Sequence, residues 1–277
     1  MIKTATQLKA KIRNVSGGDS KTAMTMIRVY FMERFLERVS NSSYKNQFVL
    51  KGGMLVSSLI GLDNRATMDI DATVQALPLT EEEIERIVTE IGNISLDDNV
   101  SFDITSIETI MDDFDYPGVR VHMVGKLDNL KQPIKIDIST DDVITPRAVE
   151  YGYRLMFEER EIDLQSYNVE TLLAEKLQTI LSRGLANTRL RDFYDVYAIS
   201  QRRDFDREVL SRAFSATCAK RGTVYTMEEV QTSLKEIALD KNLENQWIHY
   251  KTKNYFVEDL QFDEVMKTIQ NIFAELL

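Results

Sequence analysis

Phe48-Val49-Leu50-Lys51-Gly52-Gly53, followed a short way on by Arg65-Ala66-Thr67-Met68-Asp69-Ile70-Asp71, is the stretch whose reading decides the fold. The apolar run Phe48-Val49-Leu50 reads as the end of a buried strand. Two adjacent glycines then permit a tight turn and close approach of a ligand to the backbone. Met54 to Ile60 is apolar enough for a short helix. The glycines therefore fall at a helix N-terminus, where free N–H groups and the helix dipole favour an anion. Asp69 and Asp71 are two residues apart, and on a strand that spacing puts both carboxylates on one face and Ile70 on the other.

Two like charges side by side repel unless a cation or solvent offsets them. Hard oxygen ligands in this arrangement suit Mg²⁺, which takes one or two carboxylates and completes its shell with substrate phosphates. A phosphate cradle at one strand end and a metal-binding pair on the next strand describe a site for a nucleoside triphosphate. Each piece alone is more often an ordinary turn or a solvated strand. Their combination favours the site.

Working outward, 277 residues leave room for one large or two ordinary domains. A hydrophobic content of 43% with 28% charged residues is that of a soluble globular chain. No apolar run is long enough to span a membrane, and the first residues lack the apolar core of a signal peptide. Residence in the cytoplasm is the expectation. Cys218 is the single cysteine and His122 and His249 are the only histidines, which excludes an intrachain disulfide and disfavours a thiolate or histidine metal site. A net charge of −10 argues against broad attraction to nucleic acid. Between Arg183 and Arg221, however, nine basic residues face five acidic ones. A solvated helical face is the ordinary explanation of such a run; a local basic surface is the other.

Residues up to about Ser40 read as helical, with Ala23, Met26, Ile27, Tyr30, Phe31, Arg34 and Phe35 at helical spacing and Glu33, Glu37 and Arg38 on the other side. Beyond the Asp69 strand, Thr80 caps a helix running to about Ile91, with Glu81, Glu82 and Glu83 in its first turn. Three strands follow at Val100–Ile110, Val119–Leu127 and Ile134–Ile138, the first two separated by a turn at 112–118. In the last of them Lys135 and Asp137 share one face, placing a third carboxylate where metal binding or proton abstraction needs one. From Val169 the chain turns helical, capped by Asn168, and Asp192 and Asp195 stand at i and i+3 on a second helix. Further helices are expected at about 206–220, 227–241 and 262–276. The pattern is α+β: a mixed sheet with helices over residues 1–155, then a mainly helical bundle over 156–277, with the boundary inside 146–168.

With these residues placed, the sequence resembles the AbiEii/AbiGii toxin family of nucleotidyltransferases over most of its length. Four blocks carry the resemblance: Leu50-Lys51-Gly52-Gly53 with Thr67-Met68-Asp69-Ile70-Asp71; Lys135-Ile136-Asp137; Leu173-Ala174-Glu175-Lys176 with Arg183; and Arg191-Asp192-Phe193-Tyr194-Asp195. It implies the polymerase β-like nucleotidyltransferase fold and a set of roles. Gly52 and Gly53 hold phosphates, with Lys51, Lys135 and Arg183 as further nucleotide contacts. Asp69, Asp71 and Asp137 hold Mg²⁺. Lys176 meets the triphosphate, and Asp192 or Asp195 serves in catalysis or, with Glu175 and Arg191, in aligning the acceptor. Many relatives have Ser or Thr after the glycines where this chain has Met54, so a phosphate-binding hydroxyl is missing or comes from Ser57, Ser58 or Thr67.

The implied reaction is attack of an acceptor hydroxyl on the α-phosphorus of a nucleoside triphosphate, with loss of pyrophosphate. The resemblance implies the tRNA 3′ end as acceptor, a consequent block of translation and growth in abortive infection and antiviral defence, and a cognate antitoxin of repressor type that need not touch the toxin. The alternatives are a transferase acting on a protein or small-molecule hydroxyl, and a nucleotide-binding module without catalysis.

Overall fold

The computed structural model describes residues 1–61, 65, 67–111, 117–257 and 259–276. Most of the turn expected at 112–118, and Ala66 of the opening stretch, lie outside the described residues. Chain packing divides the molecule into two compact units. One comprises Met1–Ser58, Ala66–Asp142 and Val149–Ser166; the other comprises Leu59–Arg65, Val143–Ala148 and Tyr167–Leu277.

The first unit is built on a mixed seven-stranded sheet. Its strands are β1 (Phe48–Lys51), β2 (Ile70–Val74), β3 (Ser101–Met111), β4 (Pro117–Leu127), β5 (Leu130–Thr140), β6 (Val149–Arg154) and β7 (Glu161–Ser166). Their spatial order is β3-β4-β5-β2-β1-β7-β6. The central strand β2 runs antiparallel to β1 and parallel to β5. Alternation in β5 buries Ile134, Ile136 and Ile138 on one face, and Ile70, Ala72 and Val74 of β2 join them. That commitment turns Asp71, Lys135 and Asp137 to the opposite face.

Strands β6 and β7 were not expected from the sequence. They are short, and β6 exposes most of its side chains, so alternation is visible only in β7, through Ile162, Leu164 and Ser166. They form an antiparallel hairpin whose second strand pairs parallel with β1. The division expected at 155/156 therefore falls inside a hairpin of the sheet, and the first unit runs on to Ser166.

The N-terminal helical segment is two helices, α1 (Ala5–Ser16) and α2 (Ser20–Ser40), interrupted by Gly17 and Gly18 at positive φ. Asp19 caps α2 by accepting from the Thr22 N–H at 2.6 Å. The expected stripe of Met26, Tyr30, Phe31 and Phe35 is buried, and α2 packs on β5 and β7. Glu33, Glu37 and Arg38 do not form a solvated back: they and Arg34 are buried as well. Each is held by partners brought in from outside the helix. Arg38 forks onto Asp98 at 2.8 and 2.9 Å and donates to the Val100 carbonyl at 2.7 Å. Glu37 pairs with Arg34 at 2.6 Å and Arg160 at 2.7 Å. Glu33 accepts the Met156 N–H at 2.9 Å. Helical periodicity on one element cannot reveal such long-range pairing. Two more helices complete the chain up to this point, α3 (Gly52–Ile60) and α4 (Glu81–Gly92), the latter capped by Thr80 as expected and packed on β3.

The second unit is helical: α5 (Val169–Arg183), α6 (Leu190–Arg202), α7 (Arg207–Lys220), α8 (Met227–Leu239), α9 (Lys241–Lys253) and α10 (Phe262–Leu276). Asn168 caps α5 by accepting from the Thr171 N–H at 2.7 Å. Helix α5 packs against α6 and α7, and α10 against α6, α7 and α8. Phe193, Phe214, Phe273 and Trp247 lie in this core as expected of a bundle. Helix α9 was not foreseen because only Leu243 and Trp247 of its side chains are buried, too few to register as an apolar stripe.

Glu33 gives this fold a pH dependence. Burial pushes its carboxyl up to about 8, against the opposing pull of the Met156 N–H and the Arg34 charge. An acid whose folded-state pKa is raised takes up its proton more readily when folded, so the contribution of Glu33 to stability is full below the ordinary carboxylate range and is lost as pH rises through about 8. Urea midpoints measured from pH 5 to pH 9 are expected to fall across that window with a slope of at most about 1.4 kcal/mol per pH unit from this group. Glu33→Gln is expected to flatten it.

Candidate active site

The first unit carries a row of four charged residues across neighbouring strands. Lys51 of β1 is in register with Asp71 of β2, Asp71 with Asp137 of β5, and Asp137 with Arg120 of β4. Residues directly opposite one another share a face, so two carboxylates stand side by side with a cation on each flank. Asp69 lies just before β2 and joins the row through Lys135, whose Nζ is 2.9 Å from Asp69 Oδ2 and 3.2 Å from Asp137 Oδ2.

The acids differ in charge state for reasons visible in their neighbours. Burial, then the adjacent Asp69 charge, pushes the Asp71 carboxyl up to about 6, although the Gly53 N–H and Lys51 pull the other way. Burial also works to raise Asp137, but its fork of hydrogen bonds from Arg120, at 2.8 and 3.0 Å, and the Lys135 charge leave it below the usual carboxylate range. Burial lowers the Lys135 ammonium pKa, and Asp69 and Asp137 more than restore it. Arg120 was missed in the sequence reading. Its signal was available in principle, since antiparallel pairing of β4 and β5 fixes it opposite Asp137, but register cannot be counted from one strand alone.

The glycines sit where the sequence reading put them, at the end of β1 and the start of α3. Their first duty is to Asp71. Gly53 donates its N–H to Asp71 Oδ2 at 2.9 Å. Gly52 has φ +59°, and a Cβ there would overlap the Asp71 carboxylate. Only glycine fits both the backbone and the close approach. Lys51 reaches past the row, donating to Ser139 Oγ at 2.7 Å and meeting Asp142 Oδ2 at 2.5 Å. The hydroxyls nominated to replace a serine at Met54 are engaged or enclosed: Ser58 pairs with the Tyr151 hydroxyl at 2.7 Å, Thr67 donates to the Asp69 carbonyl at 3.2 Å, and Ser57 is buried.

The second unit holds the remaining nominated residues. Lys176 of α5 meets Asp192 Oδ1 at 2.9 Å and Asp195 Oδ2 at 2.7 Å, both on α6. Arg65 donates from Nε to Asp195 Oδ1 at 2.7 Å. Two cations and two acids thus share one buried cluster. Asp195 is 0% exposed and Asp192 7%. Burial raises the Asp195 carboxyl, yet the charges of Arg65 and Lys176 reverse this and hold it down at about 2. Asp195 therefore anchors the cluster. Glu175, half-buried, accepts from the Tyr167 hydroxyl at 3.2 Å, Arg183 is half-buried, and Arg191 is exposed. Arg65 was also missed: it lies 130 residues before its partner, a separation no local pattern spans.

The family model described as nucleotidyl transferase AbiEii toxin, type IV TA system, matches residues 34–268. No curated protein matches the sequence. In structure the chain is similar to JHP933 from Helicobacter pylori, at 14% identity, over 91% of this chain and 91% of that one, with a TM-score of 0.50. A putative nucleotidyltransferase from H. pylori aligns with 14% identity over 89% of this chain and 91% of its own, with a TM-score of 0.49.

The buried cluster predicts a large cost for removing one of its charges. Arg65→Ala leaves Asp195 enclosed with half its compensation gone, and is expected to lose about 3–5 kcal/mol of unfolding free energy in urea. A loss under about 1 kcal/mol, the range of a surface ion pair, would show that the cluster is not desolvated.

Proposed function

The chain belongs to the AbiEii family of nucleotidyl transferase toxins, and from that membership we propose that it moves a nucleoside monophosphate from a nucleoside triphosphate to the 3′ end of tRNA. The observation that carries the reading is the adjacent register of Asp71 and Asp137, with Asp69 joined to them through Lys135. A sheet face that spends backbone, glycines and three cations on holding acids together has a use for negative charge at that place.

Asp69 and Asp71 fit Mg²⁺. Both offer hard oxygens; burial first and the adjacent Asp69 charge second raise the Asp71 carboxyl, and a divalent cation would offset the second. Among the described residues no group of three or more His, Cys, Asp or Glu side chains is gathered to hold a metal ion, so the expected trio of Asp69, Asp71 and Asp137 does not form one set of ligands. Mg²⁺ would be held by Asp69 and Asp71, with substrate phosphates completing its shell. Asp137, forked on Arg120, contributes by fixing Lys135. When bound, Mg²⁺ supplies Lewis-acid charge stabilisation at the phosphoryl oxygens.

The protein's own part is to position and neutralise. Gly53 and Gly52 fix the Asp71 carboxylate, and Lys135 offers its ammonium to the triphosphate. The acceptor oxygen forms a bond to the α-phosphorus, the bond from that phosphorus to the bridging oxygen breaks, and pyrophosphate carries away the electron pair. The acceptor proton passes to a carboxylate of the row. In the second unit, Lys176 holds Asp192 and Asp195 in the buried cluster. Growth arrest follows from tRNA that can no longer be charged, in the cytoplasm where tRNA and triphosphates are found. The cognate partner is an antitoxin of repressor type. Among the described residues no helix is long and apolar enough to cross a membrane.

The test incubates purified protein with Mg²⁺, each α-³²P-labelled nucleoside triphosphate and separate tRNA and protein pools. Label is expected in tRNA, absent with Asp69→Ala, and at least about 100-fold reduced with Gly52→Ala, which displaces Asp71 without removing an acid. Label in a protein band would replace the acceptor. Equal growth arrest by wild type and Asp69→Ala in cells would remove catalysis from the account.

A further inference from the structure

Helix α9, the element that the sequence pattern did not reveal, has two faces of opposite character. Leu243 and Trp247 anchor it in the bundle, and the Trp247 indole N–H donates to the Leu260 carbonyl at 3.0 Å. The other side presents Asn242, Asn245, Gln246, His249, Tyr250 and Lys253, at the spacing of one helical face. This face lines a cleft of about 630 Å³, whose opposite wall is the start of α6, with Arg189 and Arg191. Among the described residues that line the cleft, every ionised side chain is cationic. In a chain of net charge −10 that is a pronounced local reversal.

We propose that this cleft of the second unit is a docking groove for single-stranded nucleic acid, the acceptor strand in the transfer reaction. The assignment of the strand as acceptor rests on the function proposed above; the binding itself does not. Three features select a strand over a lone nucleotide or an acidic peptide. From Asn242 to Lys253 the face runs about 16 Å along the helix axis, several times the spacing of about 3.4 Å per phosphate along a helical strand. Arg189, Arg191 and Lys253 supply cations for successive phosphates. Between them stand three amides able to donate and accept against base edges, and a histidine and a tyrosine offering rings for stacking. Burial and the nearby Asp195 charge raise the Tyr250 phenol above its ordinary range, so it adds no negative charge. An acidic peptide would use the cations and leave the amide and aromatic surface without purpose.

The probe is a fluorescein-labelled mixed-sequence single-stranded RNA of twelve nucleotides, with the matching DNA and a polyglutamate peptide as comparators. Anisotropy is read with the full chain, without triphosphate, over a series of salt concentrations. Three phosphate contacts give a slope of log K against log salt near −2, at about −0.7 each on a single strand. The Arg191→Glu/Lys253→Glu double variant is expected to weaken RNA binding at least tenfold, and the neutral Arg191→Gln/Lys253→Gln pair to reduce the slope by about 1.4. Both side chains of the pair are exposed, and circular dichroism melts check that the variants fold. Lys235→Glu, on the exposed side of α8 and outside the cleft, is expected to bind as wild type does. Tighter RNA than DNA binding supports contacts to the 2′-hydroxyl, and equal binding supports backbone recognition; both uphold the groove. Absence of RNA binding by wild type, unchanged affinity and slope in the cleft variants, or competition by polyglutamate as effective as RNA would overturn it. Loss of strand binding in these variants, with no label transfer by wild type, would leave the groove standing and sink the transfer reading alone.

Discussion

Two carboxylates held side by side on parallel strands are the constraint from which the site of the first unit is built. Asp71 and Asp137 occupy paired positions on β2 and β5, an arrangement that costs free energy unless it is offset. The offsets come from every direction available to a sheet. Arg120 lies opposite Asp137 on the next strand, Lys51 opposite Asp71 on the other side, and Lys135 spans Asp69 and Asp137. The two glycines complete the set by allowing α3 to begin directly against Asp71. Asp71 nonetheless keeps a raised carboxyl, through burial first and the neighbouring Asp69 charge second.

The second unit solves a related problem by burial. Lys176 and Arg65 compensate Asp192 and Asp195 where water is largely excluded. In such surroundings removal of one partner costs far more than the intact pair contributes. The cluster therefore fixes the side-chain positions of both Asp195 and Asp192. The same α6 begins at the cationic cleft with Arg189 and Arg191, so one helix carries both an anchored acid and an anion-binding end.

What the sequence disclosed follows the range of the interactions involved. The strand–glycine–helix unit, the apolar face of β5 and the caps Thr80 and Asn168 were all legible, because each depends on residues within a few positions of one another. Alternation set Asp71 and Asp137 on their strand faces, whereas Asp69, expected on the same strand as Asp71, lies just before β2. The partners that define their chemistry were not legible: Arg120 depends on the register of β4 against β5, and Arg65 on a contact across 130 residues. The burial of Glu33, Glu37 and Arg38, opposite the apolar stripe, was not legible because their compensating groups, Met156, Arg160 and Asp98, lie far along the chain. Helix α9 and the β6–β7 hairpin escaped notice since both bury few side chains.

The central claim is that the Asp69–Asp71 edge of the charged row is where metal and triphosphate meet. Manganese(II) titration followed by electron paramagnetic resonance, with and without a nucleoside triphosphate, measures this without any acceptor. The account predicts that wild-type protein immobilises manganese more tightly when the triphosphate is present, and that Asp71→Asn, with an unchanged circular dichroism melt, loses that increment. Equal triphosphate-dependent manganese binding by Asp71→Asn and wild type would contradict it and move the site elsewhere in the molecule.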